Sequence, residues 1–325
     1  MNNYKKEEQI GIFTIVTIFL FMLASSAQAE PGVRPLGMGG AFVAVADDAN
    51  STYWNPAGIA ALEKVELSYS GVGYERNDVR NDDHVAFVGH IFPETQHDWG
   101  KIGFYVDNSV DKRERITYPD LEVKAEREED IFNLSYAKKI QDYFYLGANL
   151  RYHDFELTLT ESQSLAGISY TSGDIAEDAI YTADIGMLYK QEKWSLGLLL
   201  RNLNKPDIKL YGVSTYLERD LRLGGAYRPR ENILLTTDLA YIGNGNELRI
   251  GAEYWPRGWL GLRGGGYNIT SKDDDHRAVT GGFSLRVPDK AYTINMDVHY
   301  TITYWYDMPS EFEDISHLFG LTFRF

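Results

Sequence analysis

RPLGMGGAFVAVADDANSTYWNPAGI, residues 34–59, has no counterpart elsewhere in the chain. Small residues crowd its start (Gly37, Gly39, Gly40 and Ala41). The apolar run FVAVA follows at 42–46, then Asp47 and Asp48, and finally Asn55, Pro56, Ala57 and Gly58. Glycines permit tight turns and close backbone approach. Asp48 can cap a short turn, and Pro56 restricts Asn55 to extended or turn geometry. The segment reads as a compact irregular body, with the rest of the chain arranged around it.

On its N-terminal side, residues 1–29 read as an export signal. Lys5 and Lys6 form the positive end, 10–23 the apolar core, and Ala27, Gln28 and Ala29 a small-x-small cleavage site. That core, about 14 residues, is short of the roughly 20 needed to span a bilayer as a helix. No later stretch reaches that length, so any embedding in a membrane falls to strands. The composition agrees. Of 325 residues 44% are hydrophobic and 14% aromatic, with 23 Tyr and 30 Gly, and mean hydropathy is -0.34. This suits a barrel with one lipid face and one wet face. The absence of cysteine excludes a disulfide frame, a thiolate metal site and a lipid-modified cysteine. A net charge of -15 argues against a nucleic-acid partner, which requires a basic stripe.

On its C-terminal side, period-two alternation recurs from Lys64 onward. It predicts strands near 64–76, 83–92, 99–106, 130–138, 143–153, 178–189, 194–203, 218–228, 233–241, 247–255, 259–268, 277–286, 291–303 and 314–325. That makes about fourteen, an even number as a closed bacterial barrel requires. Tyr181, Ala183, Ile185, Met187 and Tyr189 share one face, so Tyr brackets an apolar run at both ends. Eight residues of tilted strand give roughly 20 Å of height, close to an apolar band with two aromatic girdles. Even-numbered connections are short (93–98, 139–142, 190–193, 229–232, 256–258, 287–290) and odd-numbered ones mostly longer (107–129, 154–177, 204–217, 304–313), with modest exceptions at 77–82, 242–246 and 269–276. In the run from Tyr143 the apolar phase slips near His153, giving Phe155, Leu157 and Leu159. The slip has two readings: a bulge that flips the faces, or departure from the membrane.

The order Gly-Met-Gly-Gly-Ala, Asp-Asp-Ala, Trp-Asn-Pro-Ala-Gly across 33–60 resembles the N-terminal hatch of the FadL/TodX (OMPP1) family, and still more its short PorV-like branch. The resemblance implies an all-β fold: a transmembrane antiparallel barrel of about 14 strands with an N-terminal plug in its lumen. On this division residues 1–29 are the signal, 30–62 the plug and 63–325 the barrel, in the outer membrane of a Gram-negative-type bacterium. Gly37, Gly39 and Gly40 become plug hinges, and Asn55, Pro56 and Ala57 the anchor of the plug to the wall. Chains of this class also end on a lipid-facing aromatic. Phe323 and Phe325 fit that role, a signal read by the barrel-assembly machinery.

No Gly-x-Ser-x-Gly elbow or His-Glu-x-x-His motif occurs, so neither enzyme nor cofactor is expected. Alternation projects Arg151, Arg201, Arg222 and Arg249 inward, together with Glu66, Asp184, Asp238, Glu253, Asp297 and Arg324. Buried charges need partners, so mutual pairing is the default. The alternative is a seat for the carboxylate of a fatty acid, because a guanidinium binds a carboxylate through two bonds. The implied function is passive uptake of hydrophobic small molecules, with the outer-membrane bilayer as surroundings, a hydrophobic ligand as cargo and a monomer as the working unit. Transfer into lipid is downhill by roughly 0.8 kcal/mol for each CH₂. The long connection at 154–177 is polar, unlike a greasy capture groove. This supports a second reading, a PorV-like adaptor that binds a secreted protein.

Overall fold

The alternating runs close into a ring. A computed structural model describes residues 30–74, 80–90, 99–118, 121–159, 163–165, 168–170, 173, 175–210, 213–243, 245–270, 277–288, 295–306 and 314–325. The export-signal expectation at 1–29 lies outside these residues. The first five strands are β1 (Glu66–Tyr74), β2 (Arg80–His90), β3 (Lys101–Tyr118), β4 (Leu121–Gln141) and β5 (Phe144–Leu159). A small hairpin follows, β6 (Gln163–Leu165) and β7 (Ile168–Tyr170), then β8 (Ile175–Lys190) and β9 (Trp194–Arg201). A second hairpin, β10 (Asp207–Leu210) and β11 (Val213–Tyr216), precedes β12 (Asp220–Arg230), β13 (Ile233–Ile242), β14 (Gly245–Arg257) and β15 (Leu260–Tyr267). The last three are β16 (Arg277–Pro288), β17 (Asn295–Tyr306) and β18 (Asp314–Arg324). Leaving out the two hairpins, fourteen strands form one closed antiparallel barrel, with β18 paired to β1. The fourteen expected strands and their barrel closure are therefore present.

Burial follows the alternation. On β8, Tyr181, Ile185 and Met187 are exposed, while Thr182, Asp184 and Gly186 are buried. The same holds on β14, where Ile250 and Tyr254 face out and Arg249 and Glu253 face in. A barrel in lipid needs this inversion, with apolar side chains outside and the polar set within.

The strands are longer at one end than the pattern predicts. β3 and β4 pair from Lys101↔Ala137 up to Tyr118↔Leu121, so the expected loop at 107–129 is mostly strand. Past His153 the ladder between β5 and its neighbours continues without a shift (Glu129↔Phe155, Phe155↔Asp178). The bulge reading is thereby excluded. Phe155 and Leu157 are buried on the inner face, while Asp154 is exposed on the outer one. Backbone pairing needs no lipid, so β5 continues beyond the apolar band while its outer face turns polar. The sequence phase slips there although the strand does not.

At the other end the closing strand finishes on Phe325, exposed, whose N–H donates to the Val65 carbonyl at 3.0 Å. Phe319 and Phe325 are both exposed along this outer face. Deleting Phe325, or replacing it with Asp, would put a polar chain end where lipid is expected. The expected result is loss of the heat-modifiable folded band on gels and accumulation in the periplasm. Normal assembly of both variants would remove Phe325 from the assembly signal.

Candidate functional site

Residues 30–62 lie against the inner face of the barrel, and their local structure follows from their composition. Val33–Leu36 makes one helical turn. The chain then reverses at Gly39 and Gly40, with φ of 63° and 71°, the left-handed region that glycine occupies without strain. A second turn, Ser51–Trp54, leads into the 3-10 helix Pro56–Ala61. The Asn55 carboxamide caps that helix by accepting from the Ala57 N–H at 3.2 Å. Met38, Phe42, Trp54 and Ile59 are fully buried and form the segment's own core.

The wall is shaped to receive it. Gly147, Gly186, Gly197, Gly251 and Gly265 all face inward, and a methyl group at any of them would overlap the backbone or side chains of the segment. The wall also supplies hydrogen bonds to the segment's main chain. One carboxylate oxygen of Asp238 accepts from the N–H groups of Phe42 (2.7 Å) and Val43 (2.9 Å). Ser195 donates to the Ala44 carbonyl at 2.6 Å, and Thr301 to the Val33 carbonyl at 2.8 Å.

Ion pairs complete the attachment. The Glu30 carboxylate lies between Arg222 and Arg249, 2.6 Å from each. Arg34 grips Glu253 through two bonds (2.8 and 3.0 Å) and also holds Asp47 (2.6 Å) and Asp48 (2.9 Å) within its own segment. Asp47 reaches back to the wall at Arg228, 2.8 Å away. Burial pushes the Glu30 carboxyl up, but Arg222 and Arg249 outweigh it and hold it near about 2. Asp47 likewise ends at about 2, where burial is overcome by Arg34, Lys190 and Arg228.

The four inward arginines do not converge on one open site. Arg151 donates to Asp184 (2.6 Å) and Asn202 (2.8 Å), and Arg201 to the Tyr53 carbonyl (2.6 Å). Arg222 divides its bonds between Asp220 and Glu30, and Arg249 bonds Glu30, Glu247 and Tyr267. Asn55 is fully buried, its amide donating to the Val43 carbonyl at 2.8 Å and to that of Met187 on β8 at 3.0 Å. Pro56 and Ala57 cover Gly147 of β5. Gly37 packs against Thr301 and Gly39 against the backbone of Gly266. Sequence reasoning missed Glu30 and Arg34. Arg34 was legible as a lone charge among small and apolar residues, whereas Glu30 sits beside the expected cleavage site and resembles its trailing edge.

Glu30 and Asp47 fix the sign of their own share of the pH response. Their ordinary values are 4.5 and 3.8 and both are lowered, so their contribution to docking is complete above those values and is lost as pH falls toward about 2. The share of docking supplied by Glu30 and Asp47 should hold from roughly pH 8 to pH 5 and weaken between about pH 4 and pH 2. Protease cleavage within residues 30–62, followed while the barrel remains heat-modifiable, measures this. Release already near pH 6 would show that other groups hold the segment.

Solved structures with the same fold include the Pseudomonas putida toluene transporter TodX (TM-score 0.60, 12% identity, 91% of this chain and 98% of that one). A Pseudomonas aeruginosa FadL homologue matches with TM-score 0.55 and 12% identity over 90% of this chain and 98% of that one. At such identity the likeness establishes the barrel fold alone. Curated protein sequences give no match. A family model, type IX secretion system membrane protein PorP/SprF, matches residues 124–323. This match takes in the greater part of the barrel, and the chain therefore belongs to the PorP/SprF family of type IX secretion system membrane proteins.

Proposed function

We propose that the protein is an outer-membrane component of a type IX secretion system that binds exported protein at its long-loop end, with residues 30–62 as a plug that keeps the barrel closed. The observation that carries this reading is the pairing of the inward charges. Arg151, Arg201, Arg222 and Arg249, the groups able to seat a fatty-acid carboxylate, all donate to groups of the protein itself. Family membership supports the secretion role. In this orientation the short turns and the C-terminus face the periplasm, Phe323 and Phe325 engage the assembly machinery, and the working unit is a monomer. Breaking one member of a buried ion pair costs about 3–5 kcal/mol, so the plug stays seated unless a partner replaces its contacts.

A second reading, passage of a hydrophobic molecule, draws support from the inner face beyond the apolar band. Ile131, Phe155, Leu157 and Ile180 are buried on that face, interleaved with His153, Glu129 and Arg127. In that case the anchor must switch between two packings. Gly37, Gly39 and Gly40 would serve as its hinges.

One set of measurements separates the two. Deleting residues 33–60 should leave the barrel assembled and convert it from nearly silent to conducting in planar bilayers. Equal conductance of the intact and deleted proteins would remove the plug role. The wild type should transport no long-chain hydrophobic probe into liposomes and should co-purify with one exported partner through its long loops. Uptake by the wild type, altered when Asn55 and Pro56 are both replaced by Ala, would favour transport instead. Each lost buried bond costs about 1–3 kcal/mol, enough to shift a plug equilibrium tenfold or more.

A further inference from the structure

A cavity of about 470 Å³ opens at the short-turn end, between residues 30–62 and the wall, which lines it from β12–β14 round to β16–β18. Its size falls within the range of small-ligand sites. We propose that this cavity binds a carboxylate-bearing peptide presented from the periplasmic side, and that its occupation loosens the plug. The inference holds under either functional reading.

The lining is balanced in charge, Arg34, Arg228, Arg286 and Arg324 against Asp47, Glu253, Asp297 and the exposed Glu231, so what points to an anion is the unused donors of one guanidinium. Each deep carboxylate in the cavity is already shared by two guanidinium groups: Glu253 by Arg34 and Arg263, Asp297 by Arg286 and Arg324. The guanidiniums are less fully used. Arg228 gives one of its five N–H donors to Asp47, and among the described residues its side chain has no other acceptor. This pair is also the wet end of the plug attachment. The Arg228 and Asp47 side chains are 25% and 19% exposed, against 4% and 5% for Arg222 and Glu30. Water reaches the first pair and not the second, so an incoming carboxylate can compete with Asp47 and with no other plug carboxylate. Apolar surface lies beside it. Ile233 and Trp255, both half-buried, line the cavity, and the Trp255 ring lies 4.4 Å beneath the Arg286 guanidinium. An acidic side chain with an apolar neighbour matches this lining better than a bare inorganic anion.

The mechanism is substitution. A peptide carboxylate that takes the Arg228 fork displaces Asp47, removing one of the ion pairs that tie the plug to the wall. Asp47 is therefore a resident competitor, and its removal should improve binding. A role confined to structural support predicts the opposite.

The test uses the full-length folded protein in detergent, with Trp fluorescence as readout and the Trp255→Phe variant to assign the signal. The probe is N-acetylated Leu-Asp-Leu amide, with Leu-Asn-Leu amide and inorganic phosphate as controls. The Asp peptide should bind and the two controls should not. Asp47→Asn should tighten binding about tenfold, and Arg228→Gln should weaken it by about the same factor. Arg228→Lys, which keeps the charge but loses the fork, should fall between, and serves if Asp47→Asn fails to assemble. In planar bilayers the peptide, added on the short-turn side, should raise the frequency of opening. No binding to the wild type, or binding indifferent to Arg228, overturns the site. Equal binding of phosphate overturns the peptide assignment, and binding without a change in conductance overturns the coupling to the plug.

Discussion

A ring of fourteen strands encloses more space than its own inward side chains can fill. Eight strands make a barrel that side chains alone can pack, and sixteen or more leave an aqueous channel. This chain falls between, and residues 30–62 supply what the wall lacks. The inward glycines follow from that constraint. At Gly147, Gly197, Gly251 and Gly265 the wall gives up its side chain so that a second backbone can lie directly on the first. Wall and segment are thus shaped for each other, although they are remote in sequence.

Charge imposes the second condition. An ionised group enclosed by the barrel is costly unless it is paired and hydrogen-bonded. The wall pairs part of its own set, as with Arg151 and Asp184 or Arg324 and Asp297. Arg249 and Glu253 are completed from the N-terminal segment, by Glu30 and Arg34. A segment carrying these two charges has a strong preference for one docked position, because each charge finds its opposite at one place on the wall.

The barrel was legible in the sequence because lipid writes a pattern at every second residue. The runs around Tyr181–Tyr189 and Leu248–Tyr254 needed no structure to be assigned a face. The pattern stops where lipid stops, so the upper parts of β3, β4 and β5 read as loop. Pairing was illegible for a different reason. Arg151 and Asp184 both read as inward-facing, but their contact depends on the β5–β8 register, which places Arg151 opposite Thr182 and Asn149 opposite Asp184. Alternation gives the face and carries no information on the register. Glu30 was hidden by its place in the chain.

The attachment of residues 30–62 is uneven around the barrel. Among the described residues, every ion pair between the segment and the wall reaches β12 or β14, through Arg222, Arg228, Arg249 and Glu253. On the opposite side, toward β2–β4, contact is mainly apolar, with Tyr53 against Tyr105 at a ring separation of 6.0 Å. Buried polar atoms without a protein hydrogen-bond partner occur on both sides, the His84 ring nitrogens and Tyr105 hydroxyl on one and Asp238 Oδ1 and Arg263 Nη2 on the other. Separation along β12–β14 strands charges in a low dielectric, because the segment's ion pairs among the described residues lie there. The segment is therefore tied to the wall by ion pairs toward β12 and β14 and packed against it by apolar contact toward β2–β4.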